Sequence, residues 1–166
     1  MPVKTVVNPM QGSFDEVAVI DGVFMATKKA IATLFPFDET MLKGFHCYDL
    51  DFSLHIGTKY KTVVSYAILL EHFSEGRLNK NWLYDSLKLH KKWKAILPKQ
   101  TGEMNEILKR KSDYIACRSF LQQALLFSGS KKTILQYYVR LIFFYWKYNR
   151  LAFTKTVFKN LLNRNN

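Results

Sequence analysis

The sequence contains few segments that favour β-structure, and they lie in its first 70 residues. They are rich in the Val, Ile, Tyr and Phe side chains that strands prefer, and they cover residues 17–20, 23–26 and 60–70. Three strands are too few for a doubly wound nucleotide-binding sheet, which needs several βαβ units. Neither of the common glycine-rich phosphate loops occurs in the chain. The sequence therefore predicts a small α/β region without a complete nucleotide-binding fold.

Helical patterns account for most of the remaining chain. Residues 27–34 before Pro36, and residues 48–56 before Gly57, predict short helices. Apolar residues then recur at helical spacing in later segments, which cover residues 82–96, 103–127, 131–149 and 151–162. Residues 103–127 allow either one longer helix or two short ones. Pro98, Gly102 and residues 128–130 mark breaks. We expect an α/β region over residues 1–98, followed by an all-helical region over residues 99–166.

Length and composition favour a folded protein. The 166 residues are 48% hydrophobic, which supplies a sizeable core. Cys47 and Cys117 form no CxxC pair, so we expect free thiols and a reducing, cytoplasmic compartment. No early apolar run resembles a signal peptide, and the apolar run at residues 141–146 is much shorter than the roughly 20 residues that span a bilayer. We expect no membrane-spanning segment.

Charge is distributed very unevenly along the chain, whose net charge is +12. Residues 1–76 carry six Lys or Arg and nine Asp or Glu, whereas residues 114–166 carry nine Lys or Arg and no acidic residue. Such asymmetry suggests an anionic partner for the basic part, such as lipid headgroups, a phosphorylated substrate or nucleic acid. A solvated basic face without any partner explains the same distribution equally well.

Titratable side chains are concentrated in residues 44–54, within an aromatic and apolar stretch. Asp49 and Asp51 lie at a predicted helix start, and His72 follows about twenty residues later. A carboxylate in a partly closed pocket can act as a general base towards a hydroxyl group. The alternative is that both Asp residues only stabilise the N-terminus of the helix.

Four motifs in order resemble the second half of a family 2 glycosyltransferase of the GT-A type. They cover residues 19–28, 37–39, 44–54 and 71–74. The resemblance covers about residues 15–95 and is greatest to the bacterial subfamily named after a streptomycin-biosynthesis protein. It implies a polysaccharide-biosynthesis enzyme that moves a sugar from a nucleotide-sugar donor to a glycan or lipid-linked acceptor with inversion, using Mg²⁺ or Mn²⁺ on the diphosphate.

The resemblance also implies roles for single residues. Asp49 stands at the position of the catalytic base, with Tyr48 in place of the more usual preceding acid. His72 matches a position where related transferases hold the metal or contact the diphosphate, although a structural histidine is the alternative. Four further residues are expected to bind the acceptor or support the base: Asp21, Gly22, Glu39 and His46. Asp51 is expected to support the base or to cap the helix.

The family pattern also begins with a nucleotide-binding half that contains an Asp-x-Asp motif, and no counterpart precedes Asp21. Residues 49–51 have the letters of that motif, but their context matches the base motif. We therefore expect the C-terminal part of a transferase, whose divalent cation depends mainly on the missing half. The alternative is a non-catalytic remnant or interaction module.

The helical region after residue 98 lies beyond the resemblance. In residues 131–149 a narrow polar stripe interrupts an aromatic and apolar surface. Packing against neighbouring helices explains this pattern, and so does a peripheral contact with a membrane, which would place the protein at the inner face of the membrane. No recognisable nucleic-acid-binding motif is present, so we expect no nucleic-acid partner.

Overall fold

The computed structural model describes residues 12–68, 70–73, 78–103, 105–127 and 130–148. The chain divides into two compact units, Met1–Gly102 and Glu103–Asn166. The first unit combines a small sheet with helices, and the described part of the second is helical. This arrangement confirms the expected α/β region with few strands followed by a helical region.

The sheet of the first unit has two antiparallel strands. Strand β1 (Phe14–Val17) pairs with β2 (Thr62–Ser65), so that Phe14 lies opposite Ser65. Exposed and half-buried residues alternate along both strands, as expected for a sheet with one covered face.

Between the two strands the chain forms two helices, α1 (Lys29–Leu34) and α2 (Tyr48–Ile56). A third helix of this unit, α3 (Lys80–Lys92), follows β2. Helix α2 has the bounds that the sequence predicts, and Gly57 is its C-cap. Helix α3 ends before the predicted residue 96, because the backbone turns at Trp93.

The strand predictions need correction. Residues 60–70 were expected to form one buried strand, but β2 ends at Ser65 and is only half-buried. Its pairing partner β1 has four residues, and one more backbone hydrogen bond, from Tyr66 N to Ser13 O, follows the paired segment. Residues 18–20 leave the sheet, and residues 23–26 form no strand because the Asp21 side chain accepts a hydrogen bond from Val23 N and closes a turn.

Helix α2 is at the centre of the first unit. Leu54 packs in one buried cluster with Leu42 and Leu89 of α3, and Phe52 packs in another with Phe35. Burial of each such side chain contributes about 1.5 to 3 kcal/mol. Because the two clusters cover different sides of α2, its position and rotation are well determined.

The second unit contains α4 (Glu106–Leu126) and α5 (Lys131–Tyr148). Asn105 caps α4, since its side chain accepts a hydrogen bond from Leu108 N at 2.8 Å. The two helices pack together, with the ring of Phe120 stacked on Tyr137 at 4.5 Å. The predicted helix over residues 151–162 lies outside the described residues. No helix in the described part of the chain is both long enough and apolar enough to cross a bilayer.

Candidate active site

The first turn of α2 is held by an extended segment that precedes α1. Gly22 N donates a hydrogen bond to Asp49 Oδ2 at 2.9 Å, and Ile20 N donates to Ser53 Oγ at 3.2 Å. Ser53 lies one turn after Asp49 and itself donates to the Asp49 carbonyl at 2.7 Å. Residues 20–22 therefore follow the helix along its first two turns, and they fix the direction of the Asp49 carboxylate.

Gly22 approaches α2 too closely for any larger residue. A Cβ atom added at this position would lie 2.8 Å from Tyr48 Cζ, 3.3 Å from Asp49 Cβ and even closer to the Tyr48 hydroxyl. That hydroxyl donates a hydrogen bond to the Gly22 carbonyl at 3.4 Å. The expected turn at Asp21 and Gly22 is thus also a close contact between a backbone and a helix.

The Asp49 carboxylate is half-buried and has two backbone donors. Its Oδ2 accepts from Gly22 N, and its Oδ1 accepts from Leu50 N at 2.8 Å. An ionised carboxylate has about four lone-pair positions, and these two backbone donors occupy one on each oxygen. This geometry suits a base that is fixed in direction but still able to accept a proton.

Asp51 has quite different surroundings, although it lies only two residues away. It is 2% exposed, and its carboxylate accepts from Lys92 Nζ at 2.9 Å and from Trp93 Nε1 at 2.7 Å. Residues two apart on a helix point in nearly opposite directions. The carboxylate ties α2 to the C-terminal end of α3, where it supports the fold and does not face the same space as Asp49.

Lys92 joins Asp51 to a second carboxylate, that of Asp38, at 2.8 Å. The hydrogen bonds from Lys92, Thr40 and Met41 N hold the pKa of Asp38 far below its usual range. Burial by itself would lower the pKa of Lys92, but the two carboxylates outweigh it and raise that pKa. Asp38 and Lys92 are therefore both charged at neutral pH, and the single Lys92 ammonium bridges the carboxylates of Asp38 and Asp51.

A row of aromatic rings extends from the neighbourhood of Asp49. The Phe45 ring is 81% exposed and lies 5.9 Å from the Tyr48 ring. Tyr48 lies 6.0 Å from Phe37, which stacks on Phe52 at 4.5 Å. These rings are not evident from the sequence, which does not show which of its 13 Phe residues are exposed in the fold.

The aromatic row reaches an open depression of about 530 Å³. Phe37 and Phe52 form its apolar part, and Glu39 contributes an exposed carboxylate. The depression is also lined by Ala32, Pro36, Asp38 and Thr40. An apolar surface bordered by acceptor oxygens is suited to a polyhydroxylated ligand.

Comparison with known proteins assigns this unit to a family. A family model described as "Glycosyltransferase like family" matches residues 3–96, which is more than half of the 166 residues. The chain belongs to this family. The match lies within the first compact unit, which contains Gly22, Asp49 and the aromatic row. Neither the curated proteins nor the solved structures yielded a match.

Within this glycosyltransferase unit the predicted site residues fall into two groups. Gly22 hydrogen-bonds to Asp49, and Asp21 directly precedes Gly22. Half-buried His46 precedes α2, and its ring lies 6.2 Å from that of Phe45. Asp51 and Glu39 lie elsewhere, in the charged cluster and at the depression respectively. The candidate base and its support thus come together, whereas Asp51 serves another part of the fold.

His72, the predicted metal ligand of the glycosyltransferase, lies in irregular chain beyond β2 and is exposed. Among the described residues, no hydrogen bond or ring contact joins it to Asp49. The described part of the chain also contains no group of three His, Cys, Asp or Glu residues placed to hold a metal ion. The metal role of His72 stays a prediction.

Proposed function

We propose that this chain provides the acceptor side and the base of a transferase that moves a sugar from a nucleotide-sugar donor to a hydroxyl of a glycan or lipid-linked acceptor. The observation that carries the proposal is the Asp49 carboxylate, directed by Gly22 N at the first turn of α2. Membership of the glycosyltransferase like family supports sugar transfer in general. The proposal also includes the assignment to the bacterial family 2 transferases of the GT-A type, which rests on the four ordered motifs.

The proposed reaction is an inverting displacement. The acceptor oxygen attacks the anomeric carbon, and its proton passes to Asp49. The bond between that carbon and the donor phosphate oxygen breaks, and the nucleoside diphosphate leaves with the electron pair. The new glycosidic bond then lies on the opposite face of the sugar. A general base contributes about 10² to 10⁴ in rate to such a step.

The aromatic row supports an assignment of the acceptor site. We place a pyranose ring of the acceptor against exposed Phe45, next to Tyr48 and within reach of Asp49. The C–H bonds of a sugar ring pack well on the negative face of an aromatic ring. His46 and Asp21 would then hydrogen-bond to sugar hydroxyls, and Glu39 would bind a more distant part of the acceptor at the depression.

Donor binding is assigned to residues outside the described site. The two-stranded sheet lacks the βαβ units of a nucleotide-binding fold. We propose that the nucleotide, and an Mn²⁺ or Mg²⁺ ion on its diphosphate, are bound chiefly by the nucleotide-binding half typical of the resembled family. Such an ion would neutralise charge on the leaving group when bound.

Transfer assays with Asp49→Asn test the proposal. The assay would use UDP-, GDP- and dTDP-sugars with Mn²⁺, on this chain and on any longer product of the same reading frame. Asn keeps an oxygen to accept from Gly22 N but is not a base, so we expect a loss of activity of about 10²-fold or more with the fold unchanged. Glu16→Gln, an exposed carboxylate paired with Lys61, is the matched control and should keep full activity. Equal activity of folded Asp49→Asn and wild type would exclude Asp49 as the base.

A second candidate function, an interaction module without catalysis, is favoured by one feature of the second unit. Its described helices expose large apolar side chains among basic ones, including Leu135 and Val139. Sugar-nucleotide binding separates the two functions when the nucleotide-binding half is supplied, because a transferase then requires it and an interaction module does not. Calorimetry with the same nucleotide sugars measures it directly.

A further inference from the structure

Helix α5 carries a stripe of exposed apolar side chains on a different face from the one that packs on α4. Leu135, Val139 and Phe143 follow one another at four-residue spacing, which places them along one side of a helix. They are 61%, 55% and 59% exposed, respectively. Tyr137 is 9% exposed and stacks on Phe120 of α4, so the packed face of α5 is a different one.

Basic side chains accompany this stripe, and acidic ones are absent from the helix sequence. Lys131 and Lys132 stand in its first turn, and exposed Arg140 follows Val139. The Arg140 guanidinium lies 5.7 Å from the Tyr137 ring centre, so its stem runs along the helix surface. Residues 114–166 contain nine Lys or Arg and no Asp or Glu. The stripe is therefore apolar along its length and positively charged at its margin.

We propose that the stripe Leu135–Val139–Phe143 docks on the surface of an anionic lipid bilayer. A helix lying in the interface inserts apolar side chains to the depth of the acyl boundary, while its Lys and Arg side chains reach up to the headgroups. Each such basic residue contributes about 1 kcal/mol on an anionic membrane. An anionic bilayer matches both features of this surface, because its acyl chains accept the apolar stripe and its headgroups balance the positive charge.

The same observations disfavour two other occupants. A second copy of the chain would bring one strongly basic surface against another, which like charges oppose. Single-stranded nucleic acid binds through aromatic platforms on which bases stack, whereas two of the three members of this stripe, Leu135 and Val139, are aliphatic. This proposal is independent of sugar transfer, because it concerns the second unit and a different partner.

Vesicle flotation with the full chain tests the proposal. The probes are neutral phosphatidylcholine vesicles and vesicles that also contain phosphatidylglycerol. We expect the chain to float with the anionic vesicles, and Val139→Asp and Leu135→Asp each to weaken that binding tenfold or more through lost burial and added negative charge. Lys132→Gln should weaken it about fivefold, since one basic contact is lost.

Ile107→Asp is the matched control, because Ile107 is 66% exposed in the first turn of α4 and lies outside the stripe. It should float like the wild type, and circular dichroism confirms that every variant is folded. Absence of flotation with any vesicle, or equal loss in Ile107→Asp and Val139→Asp, would overturn the proposal. Self-association or oligonucleotide binding that depends on Val139, without flotation, would assign the stripe to one of the other occupants.

Discussion

Gly22 N donates a hydrogen bond to Asp49 Oδ2 at 2.9 Å across 27 residues of sequence. This bond joins the loop at Asp21 and Gly22 to the first turn of α2. At the same point Tyr48 leaves no room for a side chain at Gly22. The candidate base is consequently oriented by a backbone N–H at a position where an added Cβ would crowd Tyr48 and Asp49. Replacement of Gly22 and replacement of Asp49 should therefore affect the same site in different ways.

Gly22→Ala should displace Tyr48 and Asp49, since the added Cβ would overlap the Tyr48 ring. We expect a loss of about 1 to 3 kcal/mol in the free energy of unfolding, as for other overpacked sites, together with reduced transfer activity. Urea denaturation measures the first effect. Gly12→Ala is the control, because a Cβ there meets only the Phe14 carbonyl at 3.7 Å. Equal stability of the two variants would contradict the close contact.

Asp51→Ala should be destabilising, because it removes the buried acceptor of Trp93 Nε1 and leaves Lys92 with Asp38 as its remaining carboxylate. Leaving a donor without its buried acceptor costs about 1 to 3 kcal/mol. Glu16→Ala, which removes an exposed partner of Lys61, should cost at most about 1 kcal/mol. Thermal and urea unfolding of both variants provide the comparison. A mild effect of Asp51→Ala would show that the cluster with Lys92 does not hold α2 to α3.

Stability should fall at acidic pH because of Asp38. Its pKa lies below the ordinary value of 3.8 in the folded chain, chiefly through the hydrogen bond from Lys92. A carboxyl group with a depressed folded pKa stabilises the fold above its unfolded pKa, and that stability is lost as the pH decreases towards the folded value. Unfolding free energies measured from pH 6 to pH 2 should thus decrease below about pH 4. Asp38→Asn should make that decrease in stability with falling pH less steep. An equally steep decrease in this variant would show that Asp38 is not its cause.

Cys117 should be nearly unreactive in the folded chain. Burial raises the pKa of its thiol to about 11, and the thiolate is the nucleophilic form. Alkylation by iodoacetamide at pH 8, followed by mass spectrometry, should modify Cys117 slowly in buffer and rapidly in urea. The Cys117→Ser variant shows which mass-spectrometric signal comes from alkylated Cys117. Equal rates in buffer and urea would mean that this thiol is not buried between α4 and α5.

Local sequence signals determined the helices well. Residues 48–56 were predicted as a helix that ends at Gly57, and α2 has these bounds because a helix start and a glycine stop are local features. The long helices of the second unit followed from apolar spacing and breaks in the same way. The small number of strands and the membership of a glycosyltransferase family were likewise evident from residue types and motif order.

Only the tertiary structure separated Asp49 from Asp51. The two have the same side chain and neighbouring positions, but one meets Gly22 N and the other is buried against Lys92 and Trp93. The tertiary structure also decided that β2 ends at Ser65, because the length of a strand depends on a pairing partner far away in sequence. Contacts between residues more than 25 positions apart decide how deeply a side chain is buried and where it points. Helix propensity and residue spacing act only within a few turns of chain. The sequence alone therefore determined the elements and the family, and long-range contacts decided what each carboxylate does.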